Sequence, residues 1–175
     1  MDDEINVLRD PEEELIELIN KDNITPKGSI NLTLDDVELS DPVSVSYGGR
    51  NTRVTVKAKP SSKYTGTKDV FYNRLALSDL GYIGIISDEP ISAQMILEMI
   101  TSKKGISMLA DDFEPIIIPY LEAGEALKIN LIAKPTAIKW YGQTQADYAF
   151  GIPAGLGLLH ELIHNTLPTQ GYLTQ

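Results

Sequence analysis

The stretch His160-Glu161-Leu162-Ile163-His164 is the part of this sequence most plainly equipped for chemistry. On a helix, histidines at i and i+4 share one face, and a glutamate beside them can act as general base to a zinc-bound water. A hydrolytic zinc site also needs a third protein ligand. Residues 165–175 contain no His, Cys, Asp or Glu, so that ligand would have to come from earlier in the chain. The preferred reading is a capping or interface helix that carries two histidines. A zinc hydrolase using His160, Glu161 and His164 is one alternative, and a module that recognises a receptor or glycan through loop aromatics is the other.

Other templates fit less well. The chain has two histidines and no cysteine, which excludes a disulfide scaffold, a thiol nucleophile and a Cys-ligated zinc. A Ser-His-Asp triad would have to recruit a histidine of the same helix. No phosphate loop or G-x-G-x-x-G segment is present. Asp35-Asp36 and Asp111-Asp112 lack EF-hand spacing and read as turn aspartates that bond nearby backbone N–H groups. Trp140 and Tyr141 could form a glycan platform, but a strand-end core contact is the plainer reading. No catalytic residue, cofactor or metal is therefore expected.

The elements around these residues come from an internal repeat. Ala58-Lys59-Pro60 recurs as Ala133-Lys134-Pro135, 75 residues later, and Asp35-Asp36 recurs as Asp111-Asp112, 76 residues later. Lys63-Tyr64-Thr65-Gly66 matches Lys139-Trp140-Tyr141-Gly142, and Leu15–Asn20 matches Ile96–Thr101. Each copy opens with an amphipathic helix, capped by Asp10 before Pro11 in one and by Ser92 in the other. Asn23 and Gly105 stand where a left-handed residue often ends a helix. Strands follow over Val43–Tyr47, Arg53–Lys59 and Val70–Leu77. In the second of these, Val54, Val56 and Ala58 alternate with Arg53, Thr55, Lys57 and Lys59. Ile129, Leu131 and Ala133 are the matching inner positions of copy two. The expected fold is α+β: two tandem similar units, each an amphipathic helix on a small, mainly antiparallel sheet, plus a C-terminal helix. The expected divisions are an acidic arm at 1–9, repeats at 10–87 and 88–150, and a helix and tail at 151–175.

Charge suggests how such units would be used. The 175 residues carry a net charge of −10, all of it within residues 1–41, while 42–175 are neutral. From Arg50 to Arg74 the chain has a local net of +6. No nucleic-acid motif accompanies that stretch, so a solvated strand face, or head-to-tail attraction between subunits, is the better account. No apolar run approaches the roughly 18 residues of a membrane span. Arg53, Lys57 and Lys59 on the strand, and Leu159 and Ile163 on the last helix, are the candidate interface residues.

Asn31-Leu32-Thr33-Leu34-Asp35-Asp36-Val37, Asn51–Pro60, Ser62–Gly66 and Tyr72-Asn73-Arg74-Leu75 resemble a domain family in virion structural proteins of large tailed bacteriophages. Its pattern runs N-L-T-x-D-D-V, N-T-x-V-T-V-x-A-x-P, G-Y-x-G and Y-N-R-L. The likeness covers residues 12–78 well, and the second copy only in outline. It implies a non-enzymatic virion component whose partners are other virion proteins and copies of itself, with no nucleic acid and no membrane. In that frame Arg74 is expected to pair with Asp35 or Asp36.

Overall fold

The computed structural model describes residues 9–25, 28–29 and 31–151. It is a mixed α+β structure with two α-helices and several small sheets among these residues. The acidic arm before Arg9 and the segment holding His160, Glu161, His164, Leu159 and Ile163 lie outside them.

The first helix, α1 (Pro11–Asp22), begins where the sequence places its cap. The Asp10 carboxylate accepts from the Glu12 and Glu13 amides, Pro11 is the first helical residue, and Glu12, Glu13 and Glu14 face the positive helix end. Asn23 is not left-handed: its φ is −108°, and its amide Nδ2 instead donates to the Ile19 carbonyl. A two-residue hairpin, β1 (Ile24–Thr25) and β2 (Gly28–Ser29), follows. Then come β3 (Val37–Leu39), β4 (Val43–Tyr47), β5 (Arg50–Ala58) and β6 (Thr67–Tyr72), an antiparallel sheet with β5 at its centre. Leu15 and Ile16 of α1 cover Val37, Val54 and Val56 on its inner face.

The third expected strand of this sheet starts earlier and stops at Tyr72 rather than Leu77. Side chains interrupt the ladder there. Asn51 Oδ1 accepts from the Arg74 amide, Asn51 Nδ2 donates to the Arg74 carbonyl, and Asn73 Oδ1 accepts from the Asn51 amide. The chain leaves as β7 (Leu75–Ala76), a 3₁₀ turn at Leu77–Leu80, and β8 (Gly84–Ser87).

The second helix, α2 (Ala93–Lys104), is capped by the Ser92 hydroxyl and ends at Gly105 with φ +69°, as its sequence signals. Lys103 and Lys104 at its C-terminus donate to the carbonyls of Gly84, Leu80 and Tyr82, which holds the approach to β8 against the helix. After a 3₁₀ turn at Ala110–Asp112 come β9 (Glu125–Ile132), β10 (Trp140–Tyr141) and β11 (Gln143–Phe150). β11 lies between β9, antiparallel, and β8, parallel. The larger core is here: Ile96, Leu97 and Ile100 of α2 pack with Leu77, Ile85, Ile129, Leu131, Ala146 and Trp140, all essentially fully buried. Leu77, Leu80, Ile83 and Ile85 thus belong to the second core, although they precede α2 in the chain.

Candidate functional site

Local rules explain where the candidate interface residues stand. On β5 the pleat sends Val54 and Val56 inward and Arg53 and Lys57 outward. Arg53 pairs with Asp69 of β6 at 3.6 Å, and Asp69 also accepts from the Thr55 hydroxyl. Beside them, Tyr47 stacks against Phe71 with centroids 4.5 Å apart, and Val43, opposite Arg53, is exposed as well. The outer face of this sheet is therefore a mixed charged and aromatic surface. Lys59 is not part of it. Its ammonium turns back to donate to the Leu34 carbonyl at 2.6 Å, a bond inside the fold.

The repeated aspartates play unlike roles. Asp36 accepts from the Thr33 amide and hydroxyl and from the Ser62 hydroxyl. The Thr33 bond above all holds its carboxyl below the usual range. This is the expected turn role. Asp112 is buried, and its Oδ2 has no hydrogen-bond partner among the described residues. Burial pushes its carboxyl up to about 6; Lys139 opposes the rise, and Asp10 adds to it.

Arg74 does not pair with Asp35 or Asp36. Arg74 is 8% exposed, and its guanidinium crosses to the second half of the chain. Nη1 donates to the carbonyls of Ala137 (3.2 Å) and Pro135 (3.4 Å), Nε to Thr52 Oγ1 (3.1 Å) and Nη2 to Ser44 Oγ (3.2 Å). The Tyr141 ring lies 5.8 Å from the guanidinium carbon. The reason is positional: β6 ends at Tyr72, so Arg74 lies on the segment that β10 approaches. There the Leu75 amide donates to the Lys139 carbonyl, opening the parallel β7–β10 pair.

More of this seam follows from the same approach. The Tyr72 hydroxyl donates to the Ile138 carbonyl, and burial pushes the phenol up to about 12. Lys139 Nζ meets Glu14 Oε2 at 2.6 Å with both side chains mostly covered. Ile138 itself packs on Leu15 and Val54. Sequence reasoning did not find Tyr72, Asn51, Glu14 or Lys139 as tethers. Tyr72-Asn73-Arg74 is visible as a motif, but Ile138, Pro135 and Ala137, which Tyr72 and Arg74 reach across the seam, lie over sixty residues away. Trp140 is fully buried, the core contact expected of it, while Tyr141 borders a recess of about 220 Å³ with Ser44, Asn51, Thr52 and Arg74.

No group of three His, Cys, Asp or Glu among the described residues is placed to hold a metal ion. No helix among the described residues is long and apolar enough to cross a membrane. Comparison with curated proteins and with solved structures finds no match. A family profile described as a family of unknown function, DUF7941, matches residues 6–172. With nearly its whole length matched, the chain belongs to the DUF7941 family.

Proposed function

We propose that the chain is a non-enzymatic structural component of a tailed-phage virion that works through protein–protein interfaces. One observation carries the reading: the polar residues of the motifs that resemble virion domains are used within the fold. Asp36, Asn51, Lys59, Tyr72, Asn73 and Arg74 all make hydrogen bonds to other parts of the same chain. Motifs of that kind specify a scaffold, and partners are left the outer surface and the recesses that open onto it. The resemblance to virion structural domains supports the same conclusion.

The scaffold is read as two tandem similar units with a C-terminal helix beyond them. Matching backbone bonds support the duplication. The Lys59 amide donates to Asp36 O as Lys134 does to Asp112 O, and Ala58 donates to Gly66 O as Ala133 does to Gly142 O. Asp36 donates to Thr33 O as Asp112 does to Leu109 O. Val54 faces Val70 across β5–β6 as Ile129 faces Ala146 across β9–β11. The position that β8 fills beside β11 is filled beside β7, which follows β6 in the chain, by residues 139–141. The Leu75 amide reaches Lys139 O at 2.8 Å, as the Gly151 amide reaches Ser87 O. Ile138 packs on Leu15 and Val54 as Ile85 sits with Ile96 and Ile129. The second unit thus completes the first.

The test is native mass combined with metal analysis of the purified chain, followed by immunolabelling of assembled particles. Metal-free self-association and label on the virion are the expected results. About one zinc per chain, lost in His160→Ala, would replace this reading with the zinc hydrolase.

A further inference from the structure

We propose that the recess over Arg74 is a receptor for a carboxylate, and that its occupant is the acidic Asp2-Asp3-Glu4 segment of a second copy of the chain. This rests on the assembly reading above and names the contact that would carry it.

Arg74 is a buried cation without a buried anion. The ion pairs among the described residues join Arg9 to Glu17, Arg53 to Asp69, Lys128 to Asp147 and Lys139 to Glu14, and none includes Arg74. Every oxygen it donates to is neutral: two backbone carbonyls and two hydroxyls. A guanidinium has five N–H groups, and these bonds use four. Removing a cation from water costs several kcal/mol, which neutral dipoles offset only in part. A carboxylate supplies both the missing charge and an acceptor for the one N–H that is left, on Nη2.

The recess suits that group. It holds about 220 Å³, and Ser44 and Thr52, the two side chains that receive Nη2 and Nε, line it with Asn51, Val45 and Tyr141. None of the lining residues is acidic, and Arg74 is the one cation among them. The space admits an aspartate or glutamate side chain rather than a large ligand.

The occupant follows from charge and chain position. Residues 1–41 hold the entire net charge of −10, and the recess opens within the Arg50–Arg74 stretch, whose local net is +6. Asp2, Asp3 and Glu4 precede Arg9, whose own amide is held by Ser107 Oγ on the loop after α2. Arg9 thus stands beside the loop after α2, whereas the recess is lined mostly by residues of the first sheet. A neighbouring copy brings opposite charges together, a complementarity that favours encounter and register.

The probe is a synthetic peptide of residues 1–8, titrated into the full chain while the amide NMR signals of Ser44, Asn51, Thr52 and Tyr141 are followed. Saturable shifts are expected. They should weaken about tenfold or more when the peptide carries Asn, Asn and Gln at positions 2–4. Arg74→Ala risks misfolding, so the deciding variant is Ser44→Asp, which places a carboxylate beside Nη2 from within. It should raise the melting temperature and abolish peptide binding, while the neutral isostere Ser44→Asn keeps it. In the full chain, replacing Asp2, Asp3 and Glu4 by their amides should weaken self-association to the same extent as Ser44→Asp. Peptide binding unaffected by Ser44→Asp, no shift at millimolar peptide, or occupancy by the chain's own arm independent of concentration would each overturn the proposal. Self-association that survives both sets of substitutions would leave the assembly reading standing and remove this contact from it.

Discussion

The hydroxyl of Tyr72 donates a 2.8 Å hydrogen bond to the carbonyl of Ile138, 66 residues further along the chain. It ties the last residue of β6 to the loop ahead of β10, and Ile138 is the same residue whose side chain closes the first, smaller core with Leu15 and Val54. Removing the hydroxyl alone isolates this tether. Tyr72→Phe should cost about 1 kcal/mol in urea unfolding, with the ring still packed. If the two halves depend on each other as the seam implies, tryptophan fluorescence and far-ultraviolet circular dichroism should report one transition in the wild type and move together in the variant.

Asp112 should make stability depend on pH in an uncommon direction. Its folded pKa, about 6, lies above the ordinary 3.8. Between roughly pH 4 and 6 the folded chain therefore keeps a proton that the unfolded chain has released. The contribution of this group falls as pH rises through that window and stays low above it. Asp36, whose carboxyl is held below its usual range, acts oppositely at lower pH, its contribution being lost on acidification. The difference between wild type and Asp112→Asn isolates the first effect. The variant should lose the fall and gain about 1–2 kcal/mol relative to wild type between pH 4 and 7, measured by urea unfolding at each pH.

Lys57 and Lys59 lie two residues apart and should respond differently. Lys57 is exposed on β5, so Lys57→Glu should change stability by no more than about 0.5 kcal/mol. Its effect should fall on self-association, read by sedimentation as a function of salt. Lys59→Met keeps the stem but loses the bond to the Leu34 carbonyl. It should cost about 1–2 kcal/mol and leave salt-dependent association unchanged.

Asn51 is the hinge of the break in the first sheet. Its side chain accepts from the Arg74 amide at 2.8 Å and the Thr52 hydroxyl at 2.7 Å, and donates to the Arg74 carbonyl at 3.0 Å. Asn51→Ala leaves these backbone groups without partners. It should destabilise by about 2–4 kcal/mol and increase hydrogen exchange at residues 73–76 more than within β5.

Elements governed by short-range rules could be read directly from residue order. Asp10-Pro11 and Ser92 mark where α1 and α2 begin because a cap bonds amides two or three residues ahead. The alternation around Val54 and Ile129 shows which strand face is buried because the pleat has a period of two. Asp36 could be read as a turn residue because its partner Thr33 is three positions away. Tertiary structure alone decided the rest. Arg74 could have met an aspartate of its own turn, yet it meets the carbonyls of Pro135 and Ala137, because the break at Asn73 aims that segment at β10. Asp111-Asp112 repeats Asp35-Asp36 in sequence, but packing against a larger core buries Asp112 and leaves one of its oxygens without a partner among the described residues. Lys59 looks like a surface charge on an alternating strand, and only the path of the Leu34 turn brings a carbonyl within its reach. Local sequence sets periodicity and caps, which act over a few residues. The burial and pairing of charges depend on which distant backbone arrives beside them, and that is settled only when the sheets pack.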